Sequence, residues 1–325
     1  MNNLEKPWVE KYRPRTFDEV VSQSIAVNNL RKFSKSGNMP HLIFSGPAGT
    51  GKTSTAIIIA REMIKGEKYF RNVLELNASD TVRMDYVRSV IKDFVGQKMI
   101  INENSLKFII LDEADNIPGQ VQQALRRIIE KASSNVKFIL LCNYINRIID
   151  PIVSRCAVFR FVGLPESKVI ERLKYIAKQE KIKVPQDKQD IFYKTLFFIS
   201  AGDLRRAINT LQMSVALELI ENLDMNEILR ISGFLDNITL DKLINTIKTK
   251  DFEGSKKIIE GISNFDSRNF IKQILNILPK LNVNYQNLDS ILSYVGTIDY
   301  RVSQGGDENI QLTSLIAEII KNINN

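Results

Sequence analysis

Gly46-Pro47-Ala48-Gly49-Thr50-Gly51-Lys52-Thr53 narrows what this chain can fold into more than any other stretch. It fits G-x-x-x-x-G-K-S/T and falls between an apolar run, His41–Ser45, and an amphipathic stretch, Ser54–Ile64, so it reads as the turn from a strand into a helix. Glycines reach backbone angles closed to other residues, which lets successive N–H groups turn toward a phosphate. The start of the helix adds a field that favours anions. Lys52 would reach the β and γ phosphates of ATP, and the Thr53 hydroxyl would ligate Mg²⁺. An unrelated glycine-rich turn is the plain alternative, and the strand before and the helix after argue against it.

The surrounding pattern agrees. His41–Ser45, Val73–Leu76, Phe108–Asp112, Phe138–Asn143 and Val158–Phe161 read as strands, several of them apolar on successive residues as in strands covered on both faces. Helical patterns such as Val121–Ala132 lie between them, which implies an α/β fold with a parallel, helix-covered sheet. Phe108–Leu111 runs directly into Asp112-Glu113-Ala114-Asp115. An apolar strand ending in Asp is the Walker B arrangement: Asp112 would hold Mg²⁺, and Glu113 would orient and polarise the attacking water. Asp115 reads as a helix cap or a supporting group rather than a ligand. Asn143 ends the next strand, where ligands of parallel sheets bind, and its amide would meet the water or the γ-phosphate. After Leu164-Pro165 the strand signals fade, and Glu166–Ile182, Ala207–Leu219 and Leu312–Ile323 carry helical stripes. Breaks near 222–226 and 233–237 complete a division into an ATP-binding α/β domain (1–163), a helical lid (164–226) and a last helical domain (227–325).

Composition sets limits. The chain has 325 residues and a formal net charge of +8, which is compatible with a polyanionic partner. No run approaches the roughly 18 apolar residues of a membrane span. The charged stretch Met1–Lys11 does not read as a secretory signal. The two cysteines, Cys142 and Cys156, suggest neither a disulfide framework nor a zinc site and read as interior thiols. The single histidine, His41, has no ligand set around it and reads as structural.

A series of short boxes, in order, resembles one family. They are Pro7-Trp8-Val9-Glu10-Lys11-Tyr12-Arg13-Pro14, Gly37-Asn38-Met39-Pro40-His41, Leu76-Asn77-Ala78-Ser79-Asp80, Leu111–Asn116, Gln122-Gln123-Ala124-Leu125-Arg126-Arg127, Ser154-Arg155-Cys156 and Gly202-Asp203-Leu204-Arg205-Arg206-Ala207. Order and spacing are similar to the small subunits of replication factor C throughout residues 4–215; beyond that, the likeness is one of length and helical character. The resemblance implies an AAA+ ATPase module with a five-stranded parallel sheet, a helical lid and an all-α collar that joins five subunits into an arc. It makes Asn143 the first sensor, Arg205 the second sensor on the lid, and Arg155 an arginine finger acting on ATP held by the neighbouring subunit, so that Glu113, Lys52, Asn143, Arg155 and Arg205 form the catalytic set. Segment 7–14 would be a strand packed near the adenine, with Val9, Tyr12 and Arg13 in contact.

By the same resemblance, Arg83, Arg88 and Lys92, on an expected helix from about 83 to 95, and Arg147 would track one strand of primer–template DNA through its phosphates. A charged solvent face is the bland alternative. Where the family has Asp-Glu-Arg-Gly, this chain has Asp80-Thr81-Val82-Arg83, so Arg88 and Arg147 are the stronger candidates. Phe94–Ile101 matches the segment that touches the ring-shaped sliding clamp; Phe94, Met99 and Ile100 would suit docking, or a helix packed into its own domain. The implied partners are large and small loader subunits, the clamp and DNA, in the nucleus of a eukaryote or the cytoplasm of an archaeon, and the implied function is ATP-dependent clamp loading. The alternative is a subunit of the same assembly that binds ATP without hydrolysing it. A helicase reading from the Asp-Glu-Ala-Asp string fails, because there are strand signals for one core rather than two and none for a terminal winged helix.

Overall fold

The computed structural model describes residues 6–64, 66, 68–78, 84–96, 106–132, 135–262, 265–281, 283 and 285–323. They group into two compact units, one made of residues 1–180 with 200–209 and the other of 181–199 with 210–325. The segment 164–226 contributes to both.

The first unit is a five-stranded sheet, β1 (His41–Ser45), β2 (Val73–Asn77), β3 (Lys107–Asp112), β4 (Val136–Cys142) and β5 (Cys156–Arg160), in the order β2-β3-β4-β1-β5. Every pairing is parallel. Its helices are α1 (Trp8–Lys11), α2 (Ser24–Ser36), α3 (Lys52–Met63), α4 (Lys68–Asn72), α5 (Met84–Gly96), α6 (Gly119–Lys131), α7 (Asp150–Val153) and α8 (Glu166–Gln179). The unbroken apolar runs of the strands are explained by burial on both sides. Leu42, Phe44, Phe108, Ile110, Ile139 and Leu141 face α2 and α3 in one core. Ile43, Ile109, Leu111, Phe138 and Leu140 face Ile91 of α5 and Leu125, Ile128 and Ile129 of α6 in another. Each fully buried side chain of this size is worth about 1.5–3 kcal/mol.

Segment 7–14 departs from the expectation of a strand. Trp8–Lys11 is one helical turn, started at Pro7, whose φ of −49° suits a helix entrance, and Trp8 is buried beneath it.

The second unit is helical, from α9 (Gln189–Ser200) and the later part of α10 (Leu204–Ala216) through Glu308–Lys321; outside the helices its described residues add one antiparallel bridge, Val283–Ile323. Asp224, Asp236, Asp251, Asp266 and Asp307 each stand before a helix and accept its free backbone N–H groups. Leu243, Ile247, Phe270, Ile274, Leu312, Leu315 and Ile319 share its core. No described helix is long and apolar enough to cross a membrane.

Both cysteines are free, and burial pushes the Cys142 thiol up and that of Cys156 up to about 12, so both stay protonated. His41 Nδ1 accepts the Phe138 N–H at 3.1 Å, with the two rings edge to face. Burial holds its imidazole below the ordinary histidine range, and the charge of Lys137 adds to the effect. The unfolded imidazole protonates below pH about 6.5 while the folded one stays neutral. Its contribution to stability is therefore complete above that pH and is lost as the pH falls below it. We expect the urea midpoint to drop between about pH 7 and 5.5 and the slope to flatten in His41→Asn, whose side-chain oxygen can accept the same N–H; an identical slope would assign the titration to another group.

Candidate nucleotide site

The carboxyl ends of the central strands come level because Ser45 pairs with Cys142, and Asn77 at the end of β2 pairs with Asp112. The segments that follow β1, β3 and β4 therefore open on one crevice, the place where parallel sheets bind ligands. The loop after β1 needs its glycines. Gly46 has φ +149° and a Cβ there would lie 2.0 Å from the Phe161 carbonyl oxygen; Gly49 has φ +67° and a Cβ there would lie 1.6 Å from Asp203 Oδ1.

Lys52 opens α3 and is buried. Its ammonium donates to the carbonyls of Gly46 (2.7 Å) and Pro47 (2.8 Å) and to Asn143 Oδ1 (3.0 Å). Burial pushes its pKa down, opposed by the negative charge of Asp112 and Asp115. Thr53 Oγ1 donates to Asp112 Oδ2 at 2.8 Å, and Asp112 Oδ1 accepts the Glu113 N–H at 2.9 Å. Glu113 stands in a left-handed conformation, φ +54°, and its carboxylate accepts from Asn116 Nδ2 at 3.1 Å. Asp115 supports the site rather than capping a helix: buried inside a 3₁₀ turn, its Oδ2 accepts the N–H groups of Asn143 and Tyr144, both at 3.1 Å, and so fixes the end of β4.

A cleft of about 130 Å³ joins Ala48, Gly49, Thr50, Gly51, Lys52, Thr53, Asp112, Glu113, Asn143 and Arg205. Gly46 and Pro47 do not line it; their carbonyls face Lys52 instead. An adjoining space of about 80 Å³ is walled by Val9, Tyr12, Arg13, Val20, Val21, Leu164, Leu204 and Ile208, a mainly apolar slot suited to a flat ring. Tyr12 is held by a 2.6 Å bond from its hydroxyl to Glu180 and by Arg172 on its carbonyl, while Arg13 reaches Ser54 of α3 at 3.4 Å. Arg205 lines both spaces. It is placed there because the Leu204 N–H donates to the Gly49 carbonyl at 3.3 Å, and Asp203 caps α10 by accepting the Arg206 N–H at 3.1 Å. The cradle fits a triphosphate. The Thr53 hydroxyl beside the Asp112 carboxylate offers the hard oxygen donors that Mg²⁺ takes. Among the described residues no group of three or more His, Cys, Asp or Glu could hold a metal alone, in keeping with an ion shared with phosphate.

Residues 42–164 match the ATPase family associated with various cellular activities (AAA), and residues 236–318 match the replication factor C C-terminal domain. The chain is 41% identical over 318 residues to replication factor C small subunit 1 of Pyrobaculum islandicum, spanning 96% of this chain and 93% of that one. It is 39% identical over 324 residues to the replication factor C small subunit of Archaeoglobus fulgidus, spanning 98% of each. The chain belongs to the replication factor C small subunit family. Among solved structures, a Thermotoga maritima RuvB Holliday junction branch migration motor superposes with a TM-score of 0.54 at 19% identity over 73% of this chain and 79% of that one, a likeness of fold alone.

Other positions singled out by the replication factor C resemblance lie away from the cleft. Arg155, between α7 and β5, does not line it and instead pairs with Glu130 at 2.6 Å. Arg147 is exposed, its guanidinium 5.0 Å from the Tyr144 ring. Arg88 lies on α5 and Lys92 is exposed on the same helix, whereas Arg83, Met99 and Ile100 fall outside the described residues. Phe94 is half-buried beneath Lys107, whose ammonium sits 5.1 Å from the ring, so it packs into its own domain.

Gln122, given no role above, is buried and divides its amide between the turn at Ile117 and the 143–149 loop. Nε2 donates to the carbonyls of Ile117 and Arg147, and Oε1 accepts the Ile149 N–H, each at 2.9 Å. Together with Asp115 it pins both ends of the 143–149 loop, which carries Asn143 and Arg147. The polar face of an otherwise apolar helical stripe was the available signal. Removing such an amide leaves buried groups unpaired at about 1–3 kcal/mol. We expect Gln122→Ala to lower the denaturation midpoint accordingly, read in a urea titration; a fully stable variant would remove this role.

Proposed function

We propose that this chain is an ATP-hydrolysing subunit of a pentameric clamp loader, which uses ATP to place a ring-shaped sliding clamp on primer–template DNA. One observation carries the reading beside family membership: Lys52, Thr53, Asp112, Glu113, Asn143 and Arg205 line one cleft at the ends of three parallel strands. Lys52 gives its ammonium to the β and γ phosphates. Thr53 and Asp112 hold Mg²⁺, which when bound neutralises charge on the phosphates. Glu113 polarises the attacking water, Asn143 orients it, and Arg205 reports the γ-phosphate to α10. Val9, Tyr12 and Arg13 enclose the adenine. Arg155 belongs to the neighbouring subunit's reaction, where its charge meets the transferring phosphoryl group.

Exposed Leu292 and Tyr300 lie on one stripe of the helix Tyr285–Ser303, a face suited to joining subunits through the collar. Large and small loader subunits and the clamp are the protein partners this assigns. Archaeal relatives suggest action wherever that cell copies its DNA.

The alternative, a subunit that binds ATP without turning it over, is disfavoured by the complete cleft. In the reconstituted assembly we expect Arg155→Ala to leave nucleotide affinity intact and to lower turnover at the adjacent site by about 10³-fold. Glu113→Gln should silence this chain's own site. Equal turnover in all three assemblies would establish the structural role instead. For the DNA path, Arg88→Ala with Arg147→Ala should weaken DNA binding and flatten its salt dependence by about two phosphate contacts; unchanged affinity at moderate salt would refute it.

A further inference from the structure

Glu130, next to last in α6, is a carboxylate that its own helix does not explain. The end of a helix carries partial negative charge and disfavours an acid there. Its i,i+4 partner Arg126 precedes it, which is the weaker order for such a pair. What Glu130 does hold is arginine. Its Oε1 takes Arg126 Nε at 2.8 Å and Arg155 Nη2 at 2.6 Å. Arg155 Nη1 also donates to the Pro151 carbonyl at 2.5 Å, so the guanidinium is fixed from two sides, by α6 and by α7. It remains 37% exposed. Arg126 and then the charges of Arg155 and Arg127 hold the Glu130 carboxyl below its usual range, so it is ionised wherever the loader works.

We infer that Glu130 is a positioning residue for Arg155, presetting the direction of a guanidinium that serves the phosphates of an adjacent subunit. This rests on the reading of Arg155 as an arginine finger. A free arginine side chain has many rotamers to lose, and an ion pair made on folding removes that entropic cost before the reaction begins. The guanidinium keeps further N–H donors for phosphate, since its three contacts, to Glu130, the Pro151 carbonyl and the Ser154 hydroxyl, leave part of its five-donor fork unspent. The pairing does not cancel the charge the finger needs: two arginines hold one carboxylate and the charge of Arg127 also acts on it, so the cluster stays positive toward an approaching polyphosphate.

The test uses the full assembly with Glu130→Ala, Arg155→Ala and the double variant. Glu130→Ala should lower kcat about tenfold with the KM for ATP held within about twofold and the unfolding temperature unaltered, the scale expected for a misdirected catalytic group. In the Arg155→Ala background it should cost nothing further, because its only route is through Arg155. An equal loss in both backgrounds, or an unchanged or raised kcat in the single variant, overturns the inference. If Arg155→Ala is itself silent, the finger reading falls and takes this one with it; if Arg155→Ala is severe and Glu130→Ala is indifferent, only this inference falls.

Discussion

Everything at the nucleotide site depends on a buried cation. Lys52 is placed where desolvation works against its charge, and an unpaired ammonium there would cost several kcal/mol. The chain offsets this with the Gly46 and Pro47 carbonyls and the Asn143 amide. Those three bonds also give the loop its shape, because two of them come from residues five and six positions upstream in the chain. A triphosphate is the natural competitor for the same ammonium. Its arrival would free Asn143 from Lys52, and so the roles proposed for these two side chains are coupled through one hydrogen bond.

The sheet makes that coupling short. Parallel registry brings Cys142 level with Ser45 and Asp112 level with Asn77, with Leu111 opposite Leu140, leaving Glu113 and Asn143 at the rim of one covered sheet. Beyond Asn143 the chain runs only to Ile149 before α7 begins at Asp150, and Asp115 and Gln122 fasten both ends of that span from a single segment. A group proposed to feel the γ-phosphate, Asn143, and a group proposed to feel DNA, Arg147, thus lie on one short, braced loop. Rigid connection through buried hydrogen bonds is enough to pass a displacement across it, because such bonds are costly to leave unmade.

The legible parts of the sequence were those where local chemistry and topology agree. Glycines at Gly46 and Gly49, doubly covered apolar strands and a strand ending in Asp112 each have one economical structure. The strand expected of segment 7–14 came from the family resemblance, and Trp8–Lys11 is instead one turn of helix. Pro7 and the burial of Trp8 decide it, and burial is a tertiary fact. The roles of Gln122, Glu130, Glu180 and Arg172 were hidden for a related reason. Each acts on a residue at least 25 positions away, and nothing in a linear pattern tells a polar helix residue that grips a loop from one that faces water. Asp203 was nearer to hand, since Asp ahead of a helical stripe is a readable cap. Its second task, filling the space above Gly49, was not.

That second task ties the phosphate loop to the start of α10. Leu204 bonds directly to the loop at Gly49, and Asp203 is so close that no side chain fits between them. Residues 200–209 belong to the same compact unit as the loop, and Arg205 on that stretch lines the cleft. A displacement of Gly49 is therefore felt where the Arg205 guanidinium is carried. Lengthening the 202–204 turn would loosen that tie while leaving the loop's own bonds to Lys52 in place.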